Sequence, residues 1–371
     1  MAAISAVGGV RVAVRPSVGG TVARLSVYAV LLVMLLAFGL DSQDDATIVS
    51  FAAIYAMVAL SLNVLIGYLG QLSLGHQGFV GAGACFAAYF ATKQGLPFAV
   101  SLAGGTLMGA LFALVLGLVA LRITGLYLAL VTLVFGLTLK ESLFVLPSLT
   151  NGGAGQKADR PIFLESNITY FFLCAALLAV VFYFDRQLTS SKGGRALLAV
   201  KENERVAEAF GINVTAYKLI GFTFSGAVAG LAGGLFAFNT QQFNGITYDF
   251  PLALTFVVAT VVGGAGSRVG VLIGGASFYI LRPFTTFLLS PIPENFHPHG
   301  VFGIFDFFFS NKQYIPDLIG VLLLLLTLVR FPGGIAQQLG PVFRWLAFKP
   351  WDPHGDTATG PGAVEGSSVR A

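Results

Sequence analysis

The stretch Asp185 to Ala216, DRQLTSSKGGRALLAVKENERVAEAFGINVTA, is the one long charged segment lying between apolar runs, and its reading decides what surrounds it. It holds Arg186, Lys192, Arg195, Lys201, Glu202, Glu204, Arg205 and Glu208, a density of charge that hydrocarbon does not accept. The segment therefore lies outside lipid. Ser190 and Ser191 can cap a helix start, Arg195 to Phe210 contains no interior Gly or Pro, and Gly211 suits the left-handed position just past a helix end. A single short exposed helix over 195–210 is expected. Ala196, Val200, Ala207 and Phe210 recur on it at helical spacing as a weak apolar stripe. Glu202 with Arg205, and Arg205 with Glu208, stand three apart and are expected to pair at the surface. One face of such a helix can dock on a partner.

Composition sets the class of the flanking runs. The sequence is 56% hydrophobic and 10% charged, where ordinary soluble domains carry about a quarter charged residues, and its mean hydropathy is +0.83. An all-α polytopic membrane protein embedded in a lipid bilayer follows. The pI of about 9.1 and net charge of +4 are small on such a chain. The basic residues cluster in loops and report membrane orientation, so nucleic-acid binding has no support. Cys85 and Cys174 fall inside apolar runs, where a thiol behaves as a small hydrophobe, and imply no disulfide framework.

Taken in order, Arg11, Arg15 and Arg24 precede the apolar run Leu25 to Leu40 with no acid among them. Signal peptides and first spans share that pattern, but Ala37-Phe38-Gly39 is a poor cleavage site and further spans follow, which favours an uncleaved helix. Ile48 to Gly67 is long enough to cross a bilayer core. The next segment, GYLGQLSLGHQGFVGAGACFAAYFA, is apolar yet broken by Gly67, Gly70, Gly75, Gly78, Gly81 and Gly83. Irregular backbone survives at membrane depth only where protein or a water-lined cavity satisfies it, so a broken or re-entrant helix is expected near 67–91. Further spans are expected at Phe98 to Leu121, Leu126 to Leu146, Asn167 to Phe184, Tyr217 to Phe238, Pro251 to Gly263, Val271 to Leu289 and Asp317 to Arg330. The total is about ten crossings. Gly226, Gly230 and Gly234, every fourth residue, suit close helix packing, with a path-lining role as the alternative.

With the charged segment inside, basic residues on that side include Arg11, Arg15, Arg24, Arg122, Lys218, Arg268, Arg330, Arg344, Lys349 and Arg370, while the outside holds Lys93, Lys157, Arg160 and Lys312. That asymmetry places both termini in the cytoplasm. Residues 1–24 then form a cytoplasmic segment, 25–331 the membrane domain with 185–216 as its cytoplasmic loop, and 332–371 a cytoplasmic tail, partly disordered where Gly, Pro, Ser and Thr accumulate.

Asn63, Gln71, Ser73, His76 and Gln77 lie in or beside the expected break, where amides and unwound backbone can contact a zwitterion. The alternative is that they cap broken helix ends. His76 alone makes no metal site, and His297 and His299 have no Cys or carboxylate at a spacing that completes a zinc set. Lys140, Glu141 and Arg282 are the ionisable residues within spans. Neighbours on a helix do not face each other unless the helix ends there, and both residues lie toward the outer end of their span, so Lys140 is expected to snorkel to the interface, with a packing or gating contact as the alternative for Glu141. No clustered His, carboxylates or nucleophile with its base suggests an enzyme. A secondary transporter would be expected to show internal repeats and buried ion-coupling acids, and neither stands out.

The segment Gly194 to Ala237 resembles the cytoplasmic loop and following helix of permeases in bacterial branched-chain amino acid ABC importers. SLNVLIGYLGQLSLGHQGFVGAGA (Ser61 to Ala84), GLYLALVTLVFG (Gly125 to Gly136), LTNGGAGQ (Leu149 to Gln156) and VVGGAGSRVGVLIGGA (Val261 to Ala276) resemble that family in the same order, as does FPGG at Phe331 to Gly334. The resemblance implies a type II importer-like permease in the bacterial inner membrane. It further implies a sister permease subunit, two ATPase subunits that carry ATP and Mg, and an extracytoplasmic binding protein that delivers substrate. The chain itself contains no G-x-x-x-x-G-K-[ST] loop to hold nucleotide phosphates, and no cofactor is expected on it. The helix after Arg195 would be the coupling helix, with Arg195, Lys201, Glu202, Glu204, Arg205, Glu208 and Gly211 on the ATPase side and Ala207 and Phe210 as apolar anchor. Branched-chain amino acids are the implied substrate; related permeases serve urea, amides and other amino acids.

Overall fold

The computed structural model describes residues 3–7, 10–14, 43–120, 123, 125–289 and 334, with side chains described over 45–119, 123, 125–280 and 334. The expected spans at Leu25 to Leu40 and Asp317 to Arg330, the pair His297 and His299, and the tail lie outside the described residues. Near the N-terminus, β1 (Ala3–Val7) pairs antiparallel with β2 (Val10–Val14) in a unit separate from the helices.

The helical unit is built around α1 (Gln43–Asn63), which runs without interruption into a π-helical turn, Val64–Tyr68. Its apolar residues occur all round rather than on one stripe, and the structure buries nearly every one of them. Leu69 to Gly75 follows as irregular chain, and α2 (His76–Thr92) completes the crossing. At 17 residues α2 rises about 25 Å, short of the roughly 30 Å hydrocarbon core, and the irregular stretch supplies the remainder. The break expected from the glycines is thus present. It is a discontinuous span.

Next come α3 (Phe98–Ala120) and α4 (Leu126–Ser142), the latter ending in a tight turn over Leu143–Val145. The loop beyond it carries a single helical turn, α5 (Pro147–Thr150), and the strand β3 (Gln156–Lys157). α6 (Asn167–Ser190) leads into the charged segment. α9 (Val214–Thr240) leads out of it and ends at the strand β4 (Gln242–Phe243), which pairs with β3. Finally, α10 (Phe250–Gly263) and α11 (Arg268–Leu289) form an antiparallel pair around a tight turn. Among the described residues, five helices are long and apolar enough to cross a membrane. The shorter apolar helices are α10 and, over Arg268–Ile280, α11.

The charged segment departs from the expected single helix. It forms α7 (Lys192–Glu202) and α8 (Glu204–Ala209), interrupted at Asn203, whose backbone is extended at φ −162° and ψ 112°. Asn203 uses its side chain to accept from the Val206 N–H at 3.2 Å, capping α8, as Ser191 caps α7 through the Gly194 N–H at 3.1 Å. An Asn side chain that satisfies an orphan N–H makes a break without Gly or Pro. Gly211 does take a left-handed conformation, φ +80°.

Packing centres on α9, which lies against α1, α2 and α3. A Cβ on Gly226 would stand 2.6 Å from the Gly109 carbonyl oxygen, and one on Gly230 would stand 2.9 Å from both the Gly105 oxygen and Gly109 Cα. A Cβ on Gly234 would meet Leu102 Cδ1 at 2.7 Å. Gly226 and Gly230 therefore let the backbones of α3 and α9 touch, and Gly234 makes room for Leu102, which in lipid replaces the missing hydrophobic drive with dispersion contacts. Gly230→Val is expected to lower the melting temperature of the purified protein in detergent, through an overpacking penalty of about 1–3 kcal/mol. An unchanged melting temperature would show that α3 and α9 separate without loss.

Candidate functional site

The π-helical turn is where the elements at the charged end of the bundle meet. Helix ends leave carbonyls without intrahelical partners, and the turn ends at Tyr68. The Gly67 carbonyl accepts from Lys201 Nζ at 2.9 Å, so the last turn of α7 is bonded directly to the break. At the start of the turn, Asn63 Oδ1 accepts from the Gly266 N–H at 2.7 Å, tying it to the α10–α11 connection. Tyr68 donates its hydroxyl to Asp185 Oδ2 on α6 at 3.0 Å, and Arg268 Nε at the start of α11 pairs with the same oxygen at 3.4 Å. Asn63, Gly67 and Tyr68, within six residues of one another, thus bond to the α10–α11 turn, α7 and α6 respectively.

Deeper in the bundle, His76 opens α2 fully buried between two serines. Its Nε2 lies 3.1 Å from Ser225 Oγ, and Ser225 donates its hydroxyl to the Ser61 carbonyl at 2.6 Å. The ring therefore carries its proton on Nε2, leaving Nδ1 to accept from Ser73 at 3.4 Å. Thr132 on α4 accepts from the Leu74 N–H at 2.9 Å and satisfies a donor of the irregular stretch. Gln77 is wholly buried and neither of its amide atoms has a partner among the described residues, and the same holds for Gln71 Oε1 and Asn63 Nδ2. The candidate path residues therefore divide. Ser73 and His76 are bonded into the scaffold, whereas Gln71, Gln77 and one end of Asn63 retain unused hydrogen-bonding groups.

On α7 and α8 the side chains sort by direction. Ala196, Leu197, Val200 and Ala207 face the bundle, and Ala207 is only 2% exposed. It is therefore a core contact, and the apolar side chains that do reach the surface are Leu198, Val206 and Phe210, the last 82% exposed. Arg195, Glu202, Arg205 and Glu208 are exposed beside them. Glu204 turns inward to the buried Lys218 of α9 at 2.7 Å. Among the described residues no ion pair joins Glu202, Arg205 and Glu208: the extended Asn203 separates Glu202 from Arg205, while Arg205 and Glu208 share α8 and still do not pair. Lys201 and Glu204 thus serve the chain itself, and Lys218, Tyr68, Asp185 and Arg268 join the site without having been singled out. Their signal in the sequence is faint: Asp185 opens the charged segment, and Lys218 is one more basic residue just past it.

At the opposite end, Lys140 does not simply snorkel. It bonds Asp249 at 2.7 Å and Glu141 at 3.2 Å, the neighbours reaching each other because α4 ends there. The Lys140 ammonium, then the Phe250 N–H, hold the Asp249 carboxyl below its ordinary value. Arg160 donates to the carbonyls of Phe238 at 2.8 Å and Asn239 at 2.9 Å, and to Asn167 Oδ1 at 2.7 Å, pinning the loop onto the end of α9 and the start of α6. Burial lowers its pKa from the usual range. The side chain of Arg282 lies outside the described residues. No group of three or more His, Cys, Asp or Glu side chains able to hold a metal occurs among the described residues.

Long apolar helices around a discontinuous span, with a charged two-helix segment bonded to it, define a multi-pass membrane transport component. The sequence profile described as branched-chain amino acid transport system / permease component matches residues 46–329, and the chain belongs to that family of ABC-transporter permeases. It is 29% identical over 297 residues to the high-affinity branched-chain amino acid transport system permease protein LivM of Escherichia coli (strain K12), covering 72% of this chain and 70% of that protein. It is 32% identical over 270 residues to the probable branched-chain amino acid transport permease protein LivH of Methanocaldococcus jannaschii, covering 71% of this chain and 80% of that protein. No solved structure matches the chain. Members of this family are transport components rather than enzymes.

The lowered Asp249 pKa gives the pair at the loop end a defined pH dependence. A depressed carboxylate contributes stability that is complete above its unfolded value, near pH 4, and disappears as pH falls through the lower folded value. The melting temperature of wild type is expected to exceed that of Asp249→Asn at neutral pH, with the gap closing below about pH 4. A gap that stays constant down to pH 2, about two units lower, would exclude an ionised Asp249 as its source.

Proposed function

We propose that this chain forms the translocation path of an ATP-driven importer for branched-chain amino acids, and that α7 and α8 seat on separate ATPase subunits. The observation that carries this reading is the exposed face of the charged segment. Phe210 stands 82% exposed at the end of α8, with Leu198 and Val206 nearby and Arg195, Glu202, Arg205 and Glu208 around them. An apolar anchor ringed by charges of both signs is how a protein interface is built, the anchor giving affinity and the rim giving register. A protein partner at this face explains why Phe210 remains outside the core.

The ATP and Mg belong to those partner subunits in this reading, and the chain holds no cofactor. A sister permease completes the path, and a binding protein delivers substrate to the end that carries Arg160 and the Lys140–Asp249 pair. That end faces outward and α7 and α8 face the cytoplasm, consistent with the excess of basic residues on the latter side and with cytoplasmic termini. Within the path, Gln71, Gln77 and the amide nitrogen of Asn63 are the groups offered to a passing zwitterion. Buried amides without partners gain most from a ligand that supplies both an ammonium and a carboxylate. Ser73 and His76 hold the break open for them. The name of the LivM relative speaks of branched-chain amino acids, and the same substrate class is proposed here.

Co-purification of the affinity-tagged chain with its ATPases in mild detergent tests the reading. Wild type is expected to bring down ATPase subunits, and the triple variant Arg205→Ala, Glu208→Ala, Phe210→Ala to lose them at least tenfold, with its melting temperature unchanged, since an anchor of this kind is worth about 2 kcal/mol or more. Wild-type recovery of ATPases by the variant would move the docking face elsewhere. Uptake of urea in preference to leucine by the reconstituted importer would overturn the substrate assignment alone.

A further inference from the structure

α7 has two ends of contact, one outward and one inward, and the inward one terminates on the break. Lys201 sits in the last turn of α7 and lays its stem along Gly70, where a Cβ would meet Lys201 Cγ at 3.0 Å. Its ammonium continues to the Gly67 carbonyl at 2.9 Å. Gly67 lies just before the irregular stretch and Gly70 within it, at φ +68°. The neighbouring carbonyls are already taken: Val64 accepts from the Leu69 N–H, and Leu65 from the Gln71 N–H at 2.8 Å. The Lys201 cation therefore supplies an acceptor at a helix C-terminus with a favourable charge.

The other ties of the π-helical turn run to different elements. Asn63 is held by the α10–α11 turn and Tyr68 by α6, through Asp185 and Arg268. α8, by contrast, is keyed to α9 through Glu204 and Lys218, and the extended Asn203 separates it from α7. A displacement of α7 thus reaches the break through Lys201 at Gly67, while α6 holds the adjacent Tyr68 and the α10–α11 turn holds Asn63 just before the turn begins. A π-helical turn suits such a place, since its widened register is a common site of rearrangement within a helix.

We propose that Lys201 is a positioning residue that transmits movement of α7 to the π-helical turn Val64–Tyr68, and so to the discontinuous span that begins there. This rests on the reading of α7 and α8 as the segment that engages ATPases, and it assigns Lys201, an exposed residue whose ammonium bonds the Gly67 carbonyl, to the π-helical turn rather than to the ATPase. The ammonium moves no substrate and touches no nucleotide. Its role is to make the Gly67 carbonyl follow α7.

The test uses the importer reconstituted in proteoliposomes with its ATPases and binding protein, measuring radiolabelled leucine moved per ATP hydrolysed. Lys201→Met keeps the stem over Gly70 and removes the ammonium. It is expected to retain ATPase subunits and ATP hydrolysis while transport per ATP falls about tenfold, the scale of a charge-assisted hydrogen bond. Lys201→Arg is expected to restore coupling, which a merely structural contact of the stem would not require. Wild-type transport per ATP in Lys201→Met overturns the proposal. A parallel measurement needs no ATPase: hydrogen exchange of the purified chain, in which Lys201→Met is expected to raise exchange over residues 64–71 and leave 196–200 unchanged. Unaltered exchange over 64–71 overturns the link itself. Failure of wild type to retain ATPases would instead count against the docking face, and the exchange measurement would still decide whether Lys201 governs the turn.

Discussion

Backbone polar groups inside a bilayer have no water to turn to, and the architecture depends on how the chain meets that constraint where α1 gives way to α2. A continuous helix would satisfy itself. The discontinuous span instead leaves donors and acceptors that other elements must take up, and the structure shows which ones do. Thr132 receives the Leu74 N–H, Leu65 receives the Gln71 N–H, and Lys201 reaches the Gly67 carbonyl. Each partner comes from a different part of the chain, so the break can exist only when α4 and α7 are in place. The irregular stretch is in this sense a product of the tertiary fold.

The same constraint explains the glycines. Elements that must hydrogen-bond to a neighbour's backbone have to come near it, and the side chains between them must be small. Gly75 lies against Thr132, Gly78 against Gly136, and Gly83 against the backbone of Gly230, a row that runs up α2. On its other side α9 meets α3 through Gly226 and Gly230. Such contacts give dispersion energy without any hydrophobic drive, which lipid does not supply. They also fix the depth at which His76 meets Ser225, because a one-turn slip of α2 against α9, about 5.4 Å, would break the Nε2 contact and place side chains on glycine positions.

Much of this was legible because the signals were local. Six glycines in the stretch from Gly67 to Gly83 announced the break, and long apolar runs announced α1, α3, α4, α6 and α9 within a few residues of where they lie. What escaped depended on partners far away in sequence. Asn203 carries no breaker signature beyond a side chain that can cap, and only the inward pull of Glu204 by Lys218 fixes the interruption there. Asp185 belongs to a charged run in the sequence yet lies buried on α6 with Tyr68 and Arg268. Lys140 looked isolated because Asp249 is more than a hundred positions away. For Ala207 and Phe210, a weak stripe at helical spacing could not show that α8 ends at Ala209 and leaves Phe210, just past it, exposed.

The division of the charged segment also bears on how a membrane protein can carry both a docking face and a mechanical link in so few residues. A single straight helix over 195–210 would present one polar face, and inward and outward charges would compete for it. Interruption at Asn203 rotates α8 relative to α7, so that Lys201 and Glu204, three residues apart, each find a separate partner within the bundle. The exposed charges Arg195, Glu202, Arg205 and Glu208 are then left free of that duty. Lys218 is 2% exposed and Glu204 is its one ion-pair partner among the described residues, so the link from α8 to α9 carries the larger penalty if broken, as a buried cation without its carboxylate does. The Lys201 contact is a single bond to a neutral carbonyl and is the softer of the two. With α8 held rigidly to α9, a push on the segment moves α7 rather than α8, and the Lys201 bond is where that movement meets the discontinuous span.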